Sequence, residues 1–322
     1  MRFFDQRVHS AYISLRMWRG TSLAVLLVWS LFSLASVVLF SVASFAQNLE
    51  GAVDIHVHCD PDVVPRSIDA IGLAKLAHAR GMRALVYKNH FELTASWAYL
   101  AREVVPGIEL FGGIVLNRTV GGINPAAVEH MAKVKGGLGR VVWMPTFDSE
   151  NQVRYSREDR PFVAVSKDGR LLPAVTEVLK LVARYHLIFE TGHCSPAECL
   201  LLIREAKKEG VEQIVVTHAM LPPVKMNVEQ MKQAAALGAY LEFVYNGVIG
   251  PNKANDIQDY GAALRSVGPE HCILASDLGQ AANPLPPDGF EAFLRALRQQ
   301  DFSEAEINQM AKVNPAKVLG LE

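Results

Sequence analysis

Residues 53–58 read Val53-Asp54-Ile55-His56-Val57-His58, an apolar run that ends in two histidines one residue apart. The β-branched residues favour a strand. Alternate residues of a strand point to the same face, so His56 and His58 present two imidazoles to one spot. The pair indicates either a metal site or two surface histidines on an edge strand, and the H-x-H spacing alone does not separate these interpretations.

Short apolar runs like this one recur along the chain, and a helical pattern separates each from the next. Such alternation predicts a parallel sheet with right-handed crossovers. For this α/β chain, closure into a (β/α)8 TIM-like barrel over residues 47–322 is the economical arrangement, and an open doubly wound sheet is the alternative. The predicted strands are 52–57, 84–87, 110–116, 140–144, 187–190, 213–217, 240–245 and 272–276.

Helix-capping residues lie at several of the expected positions between these strands. Asn124-Pro125 places an N-cap before a proline at the first helical position. Ser195, followed three residues later by Glu198, forms a capping box. Ser67 is the expected N-cap of the first helix, which would end at Gly81.

Residues 23–45 form a long apolar segment that follows a basic stretch. Small residues at 44 and 46 fit the −3 and −1 positions of a cut before Gln47. Residues 1–46 are therefore predicted to be a secretory signal cleaved near Ala46, with export to the periplasm or the cell exterior. Roughly 20 apolar residues would also span a bilayer. A membrane anchor through 23–45 is thus one alternative, and a misplaced start codon ahead of a cytosolic enzyme is another.

Composition limits the classes of partner. The 322 residues carry a net charge of −1, which gives no electrostatic case for binding nucleic acid. The four cysteines form no C-x-x-C pair, which argues against a zinc knuckle or a thioredoxin-type site. A small molecule is the expected partner.

One segment, residues 147–173, interrupts the alternation of strands and helices. It is polar, and Asp168-Gly169 between apolar runs predicts a β-hairpin. Because the segment follows the fourth strand, we expect it to lie over the C-terminal mouth of the barrel. It is either a lid or substrate loop, or a surface hairpin without a role in the site.

Polar residues gather at the carboxyl ends of the predicted strands. In a (β/α)8 barrel these ends open on one face, where active sites are built. Five of the ten histidines fall there, and packing alone does not explain that clustering. The strand-end residues are, in order, His56 and His58; Lys88, Asn89 and His90; Asn117 and Arg118; Thr146 and Asp148; Glu190 and His193; His218; Asn246; and Asp277.

This pattern resembles the amidohydrolase superfamily of metal-dependent (β/α)8 enzymes. That family carries H-x-H on its first strand, histidines on strands five and six, and an aspartate on strand eight. The matching metal ligands here are His56, His58, His193, His218 and Asp277. Residues 314–321 are also similar to the helix that ends many members, so the resemblance covers nearly the whole chain after Gln47.

The fourth strand departs from the family's two-metal pattern. Two-metal members bridge their ions with a carboxylated lysine or a glutamate on that strand, whereas residues 141–146 contain neither residue. The expected site therefore holds one ion, or two if Lys88 or Glu190 supplies the bridge.

The resemblance implies a metal-dependent hydrolase that uses an activated water to cleave a C–N, C–O or lactone bond. Imidazole and carboxylate ligands suit Zn²⁺, and Mn²⁺ or Fe²⁺ would also fit. Asp277 is the expected catalytic proton acceptor. Substrate-binding or supporting roles are expected for Arg66, Lys88, His90, Asn117, Arg118, Glu190 and Asn246.

Three other functions stay open at the level of the sequence. The same ligands would serve a non-hydrolytic metal-dependent decarboxylase. A phosphoesterase of the polymerase-and-histidinol-phosphatase type also begins with H-x-H, but it places Asp-x-His near its end, and Asp277-Leu278-Gly279 lacks that histidine. A catalytically inactive barrel that serves as a membrane-attached binding or scaffold protein is the third.

Overall fold

The computed structural model describes residues 49–321. The predicted signal or anchor, residues 1–46, lies outside the described residues, so its cleavage and the localisation that would follow from it stay predictions. Between residues 49 and 321, no helix is both long and apolar enough to cross a membrane.

The described chain contains a barrel of eight parallel strands and a separate two-stranded hairpin. In chain order the strands are β1 (Val53–Val57), β2 (Ala84–Tyr87), β3 (Glu109–Val115), β4 (Gly139–Trp143), β5 (Ser166–Lys167), β6 (Arg170–Leu171), β7 (Ile188–Glu190), β8 (Gln213–Val216), β9 (Tyr240–Val244) and β10 (Cys272–Ala275). The barrel strands neighbour one another in the order β1-β2-β3-β4-β7-β8-β9-β10. Their apolar residues are buried, as expected for parallel strands covered by helices. The predicted (β/α)8 barrel is confirmed.

The barrel closes where β10 meets β1. The His58 N–H donates to the Leu278 carbonyl at 2.8 Å, and the Asp277 N–H donates to the His56 carbonyl at 2.8 Å. These bonds continue the parallel pairing just beyond β10, where Val57 lies opposite Leu278. Closure therefore brings the first and last predicted metal ligands of the sequence side by side.

Helices connect successive strands of the barrel, and three further helices follow β10. They are α1 (Ala70–Ala79), α2 (Ala95–Val104), α3 (Pro125–Ala132), α4 (Glu150–Tyr155), α5 (Pro173–Arg184), α6 (Pro196–Lys208), α7 (Val228–Ala236), α8 (Ile257–Val267), α9 (Pro286–Arg298), α10 (Glu304–Asn308) and α11 (Asn314–Leu319). The α3 cap at Asn124 and the α6 capping box at Ser195 form as predicted.

The start of α1 differs from the prediction. The N-cap is Asp69, whose carboxylate accepts hydrogen bonds from the backbone of Ile71 and Gly72, and the expected cap Ser67 lies two residues earlier. The Ser67 N–H donates instead to the carbonyl of Gly279 at 2.9 Å. Ser67 is thus engaged by the segment that follows β10, and Asp69 is left to satisfy the first turn of the helix.

The segment 147–173 contains α4 and the predicted hairpin of β5 and β6. The hairpin turns at Asp168 and Gly169, whose φ angles of 50° and 72° suit the tight turns that join antiparallel strands. The first part of the segment reaches the mouth of the barrel, where Gln152 Oε1 lies 2.8 Å from His193 Nδ1. The role of the segment as a lid stays a prediction.

Candidate metal centre

Three predicted ligands converge at the mouth of the barrel. His56 lies on β1, His58 directly follows β1, and Asp277 follows β10. Asp277 Oδ1 lies 3.1 Å from His56 Nε2 and 3.1 Å from His58 Nε2. One donor atom from each of the three residues lies within 4.8 Å of the others, and all three residues are buried. This cluster forms because barrel closure places the end of β1 beside the end of β10.

The orientation of His56 is set from behind by a carboxylate. Glu242, on β9, has its Oε1 3.1 Å from His56 Nδ1, which leaves His56 Nε2 to face Asp277. Glu242 Oε2 also accepts the backbone N–H of His218 at 2.8 Å. Burial and the neighbouring Lys88 act to lower the pKa of His56. Asp277 and Glu242 act more strongly in the other direction, and the pKa is raised to about 10. A carboxylate on the second nitrogen is the usual support of a metal-binding histidine.

Lys88 follows β2 and points into the same cluster. Its Nζ lies 3.0 Å from His56 Nε2 and 5.3 Å from the ring centroid of Trp143. The side chain is buried, and burial lowers the pKa of the ammonium from its ordinary value despite the nearby carboxylates of Asp277 and Glu190. Lys88 therefore places a buried amine beside the candidate ligands.

The two later histidines lie at the same mouth but outside the three-atom cluster. The ring centroid of His218 is 6.2 Å from that of His56 and 4.8 Å from that of His193. Burial lowers the pKa of His218 to about 4 and that of His193 well below its usual value. Both are therefore neutral at pH 7, the form in which imidazole binds metals.

The backbone at two of these residues is left-handed. His218 has a φ of 28° and Asp277 a φ of 51°, a region that residues with a side chain rarely adopt. Such conformations concentrate at functional sites, where surrounding contacts hold them. Asp277 is held by Asn246, whose Nδ2 donates to Asp277 Oδ2 at 3.1 Å. Burial alone would raise the pKa of Asp277, but His56 and His58 keep it well below its usual range.

A cavity of about 340 Å³ opens above the cluster. Of the site residues expected from the sequence, those that line it are His58, Arg66, Lys88, His90, His193, His218, Asn246 and Asp277. Its size is at the lower end of the range for small-molecule sites.

His56, although buried in the cluster, does not line the cavity, and neither do three of the residues expected in substrate-binding or supporting roles. Asn117 is buried and ties two loops together, because its Nδ2 donates to the His90 carbonyl at 2.9 Å and its Oδ1 accepts the Thr146 N–H at 2.9 Å. Arg118 has an exposed side chain, and its backbone N–H donates to Asp148. Glu190 is buried beneath the site, where burial and Glu242 raise its pKa to about 8.

Sequence reasoning missed three residues that contribute to this arrangement. They are Glu242 behind His56, Gln152 on His193, and Phe147, whose ring stacks on His90 with the centroids 3.9 Å apart. For Glu242 a signal was available, because it is the one acidic residue in the otherwise apolar or aromatic strand Tyr240–Val244.

The donor set fits a divalent cation. Two imidazole nitrogens and a carboxylate oxygen lie within 4.8 Å of one another, and Glu242 fixes the first imidazole. Nitrogen and oxygen donors of this kind suit Zn²⁺, Mn²⁺ and Fe²⁺. Residues 49–321 therefore contain a candidate site for a divalent metal ion.

Solved structures share this fold at low sequence identity. An amidohydrolase from Pseudomonas aeruginosa aligns with a TM-score of 0.59 and 13% identity over 86% of this chain and 97% of its own. The organophosphorus hydrolase from Deinococcus radiodurans aligns with a TM-score of 0.56 and 15% identity, over 85% of this chain and 93% of its own. A protein engineered for organophosphate hydrolysis from a weak promiscuous lactonase template aligns with a TM-score of 0.56 and 15% identity. The alignment covers 85% of this chain and 96% of that protein. The resemblance to amidohydrolases is thereby confirmed at the level of the fold.

Comparison by sequence gives one family. No curated protein matches the chain. A family model described as a family of unknown function, DUF6282, matches residues 51–242, a range that runs from just before β1 through the first three residues of β9. Because this match covers more than half of the 322 residues, the chain belongs to the DUF6282 family.

Proposed function

We propose that the protein is a metal-dependent hydrolase that uses an activated water to cleave a C–N, C–O or lactone bond of a small molecule. The observation that carries the proposal is the convergence of His56 Nε2, His58 Nε2 and Asp277 Oδ1 beside a cavity that His58 and Asp277 line. The barrel that holds them has the fold of the amidohydrolase and organophosphorus hydrolase named above. The proposed metal is Zn²⁺, with Mn²⁺ and Fe²⁺ as alternatives.

His56, His58 and Asp277 would hold the ion, and His193 and His218 are proposed as further ligands or as donors to the substrate. A divalent ion bound there would polarise a carbonyl and lower the pKa of a water molecule from about 15.7 to about 7. We propose one ion rather than two, since β4 contributes no carboxylate or lysine and the compact donor set contains three residues.

The residues of the chain have separate parts in this scheme. Asp277 would take a proton from the attacking water and return it to the leaving group. Asn246 holds Asp277 Oδ2 at 3.1 Å and so fixes the plane of the carboxylate. The Lys88 ammonium, 3.0 Å from His56 Nε2, would stabilise negative charge that develops on the substrate oxygen.

The packing at Gly279 disfavours the phosphoesterase alternative. An Asp-x-His motif would need a histidine at position 279, two residues after Asp277. A Cβ built there would lie 1.9 Å from the His58 carbonyl oxygen, with a backbone φ of 127°. The clash of a side chain at position 279 with His58 supports the hydrolase proposal over this alternative.

Metal content tests the ligand assignment. The double variant His56→Ala with His58→Ala should lose bound Zn²⁺, whereas His130→Ala with His271→Ala, two histidines away from the cluster, should keep it. Metal is measured by mass spectrometry on purified protein after dialysis against Zn²⁺, with circular dichroism to check the fold. Stoichiometric zinc in the first, folded variant would end the assignment.

Activity tests the reaction. Metal-loaded protein is assayed against matched esters, lactones, amides and phosphotriesters, and Asp277→Asn should lower any turnover by at least about 100-fold, the low end for loss of acid–base catalysis. Release of CO₂ from carboxylic acids is assayed in parallel. CO₂ release without hydrolysis would favour the decarboxylase, and neither reaction with metal bound would favour a binding barrel.

A further inference from the structure

Arg66 brings a buried guanidinium group to the wall of the cavity. Its side chain is only 4% exposed, and the residue is among those that line the cavity. Among the lining residues that the structure describes, Asp277 alone carries a carboxylate, and the candidate metal site already uses it. A guanidinium group keeps its positive charge in proteins. The cavity wall therefore favours a ligand that brings a negative charge of its own.

The guanidinium group is held on one edge by Asp62. Arg66 Nε donates to Asp62 Oδ2 at 2.8 Å, and Arg66 Nη2 lies 2.7 Å from the same oxygen. These contacts use the edge formed by Nε and Nη2, and Nη1 takes no part in them. The side chain of Asp62 is 1% exposed, and Asp62 is not among the residues that line the cavity. Asp62 thus fixes the orientation of Arg66 without entering the cavity.

The loop that carries Arg66 is also fixed by backbone pairing. The Ser67 N–H donates to the Gly279 carbonyl at 2.9 Å, and Arg66 pairs with Gln280 in an antiparallel bridge. A buried ion pair contributes little net stability once the cost of removing both charges from water is counted. Holding the loop is therefore a weak explanation for the pair of Arg66 and Asp62, and a role toward the cavity explains it better.

Arg66 lies close to the candidate metal ligands. Gln280, its bridge partner, donates through Nε2 to the carbonyl of Asp277 at 2.8 Å. Burial, the largest cause, lowers the pKa of His58 to about 3, and the charge of Arg66 adds to this lowering. Arg66, His58 and Asp277 all line the same cavity of about 340 Å³. A small molecule in that cavity can therefore meet Arg66 and the candidate metal centre together.

We propose that Arg66 binds a carboxylate of the substrate, so that the enzyme acts on small acids whose scissile carbonyl lies a few bonds from a carboxylate. N-acyl amino acids and lactones that bear a carboxylate belong to this class. This inference rests on the hydrolase proposed above. A planar carboxylate matches the Nη1 side of the guanidinium group, and charge-assisted hydrogen bonds of this kind are strong.

Diacids and their monoamides test this subsite without any turnover. Succinate, glutarate and adipate carry a second carboxylate, which their monoamides replace with a neutral group of similar size. One carboxylate in every ligand can bind the Zn²⁺ ion, so the comparison isolates the second. Calorimetry on the Zn²⁺-loaded full chain should show at least one diacid binding about 10- to 100-fold more tightly than its monoamide, the range for a hydrogen bond to a charged group.

The variant that removes the subsite is Arg66→Gln combined with Asp62→Asn, because Arg66→Gln alone would leave a buried carboxylate unpaired. It should keep its Zn²⁺ and bind each diacid and its monoamide with similar affinity. Arg66→Lys, which keeps a charge beside Asp62 but lacks the planar fork, should show an intermediate preference. Circular dichroism checks the fold of both variants.

The matched control is Arg102→Gln combined with Glu109→Gln. This ion pair, at 2.8 Å, involves no residue that lines the cavity. The control should keep the preference for the diacid. Absence of any preference in the unaltered protein at all three chain lengths, or a preference that survives in the folded variant without Arg66, would overturn the inference.

Turnover separates this inference from the hydrolase proposal. The monoethyl esters of the three diacids carry a carboxylate, and the diethyl esters do not. If the preference for diacids depends on Arg66 but no ester, lactone or amide is cleaved, the hydrolase proposal fails and the carboxylate subsite stands. If both kinds of ester are cleaved with equal kcat/KM, and loss of Arg66 lowers both values equally, the selection fails and the hydrolase stands.

Discussion

Glu242 Oε1 lies 3.1 Å from Nδ1 of His56, deep in the barrel wall, while Glu242 Oε2 accepts the backbone N–H of His218 at 2.8 Å. One carboxylate therefore positions two histidines from opposite parts of the sequence. It fixes the ring of the first and the strained backbone of the second, whose φ is 28°. The candidate centre depends on this residue although it does not line the cavity.

We expect Glu242→Gln to weaken Zn²⁺ binding by about 10- to 100-fold, as is typical when a residue that supports a ligand is changed. Glutamine keeps the size of glutamate but has one acceptor oxygen, so its amide group must face either His56 or the His218 N–H. The dissociation constant is measured by competition with a chromophoric chelator.

The control is Glu229→Gln, an exposed residue in the first turn of α7. Its affinity for Zn²⁺ should equal that of the unaltered protein. Unchanged affinity in a folded Glu242→Gln variant would show that the carboxylate does not position the ligands.

Glu190 predicts a pH dependence of stability. Burial raises its pKa from 4.5 to about 8, and one of its oxygens has no partner among the described residues. Between these two pH values the folded protein keeps a proton that the unfolded chain releases. The free energy of unfolding therefore falls as pH rises through this window, by up to about 1.4 kcal/mol for each pH unit.

Glu190→Gln should remove this slope, because glutamine does not ionise. Relative to the unaltered protein, the variant should gain stability progressively from pH 5 to pH 8, measured by urea unfolding of metal-free protein. Glu212→Gln, an exposed change just before β8, should leave the slope in place. A constant difference between Glu190→Gln and the unaltered protein across this range would contradict the raised pKa.

Much of the fold could be predicted because its signals are local. Each barrel strand is a short apolar run, and the predicted bounds lie within one or two residues of those observed, as for β1 and β10. Capping residues in the sequence predicted where α3 and α6 begin. At α1 both Ser67 and Asp69 are residues that cap helices, and the choice depends on the bond from Ser67 to Gly279, which lies more than 200 residues away.

The candidate site was predicted less completely, since position along a strand does not set the direction of a side chain. His56, His58 and Asp277 meet because strand ends converge, which the fold class already implies. Arg118 also follows a strand, but its side chain is exposed. Glu242 was missed because site residues were sought only at the ends of strands, and Glu242 lies within one.

Gly279 links the stability of the barrel to the ligands. Its φ is 127°, and a Cβ added there would lie 1.9 Å from the carbonyl oxygen of His58. Gly279→Ala should therefore push His58 away from Asp277. We expect a loss of about 2–4 kcal/mol in the free energy of unfolding, from overpacking and backbone strain together, and a Zn²⁺ affinity at least about tenfold weaker, as for a disturbed ligand support.

Gly137→Ala separates strain from steric clash. Gly137 also has a positive φ, 64°, but an added Cβ would meet no atom within 4 Å. This variant should lose about 1 kcal/mol, the cost of left-handed backbone for alanine, and should bind Zn²⁺ normally. Urea unfolding and chelator competition measure both quantities on the two variants. Gly279→Ala and Gly137→Ala could show the same loss of unfolding free energy and the same Zn²⁺ affinity. Backbone strain alone would then explain the effect of Gly279→Ala, and the close approach of residue 279 to His58 would not position the ligands.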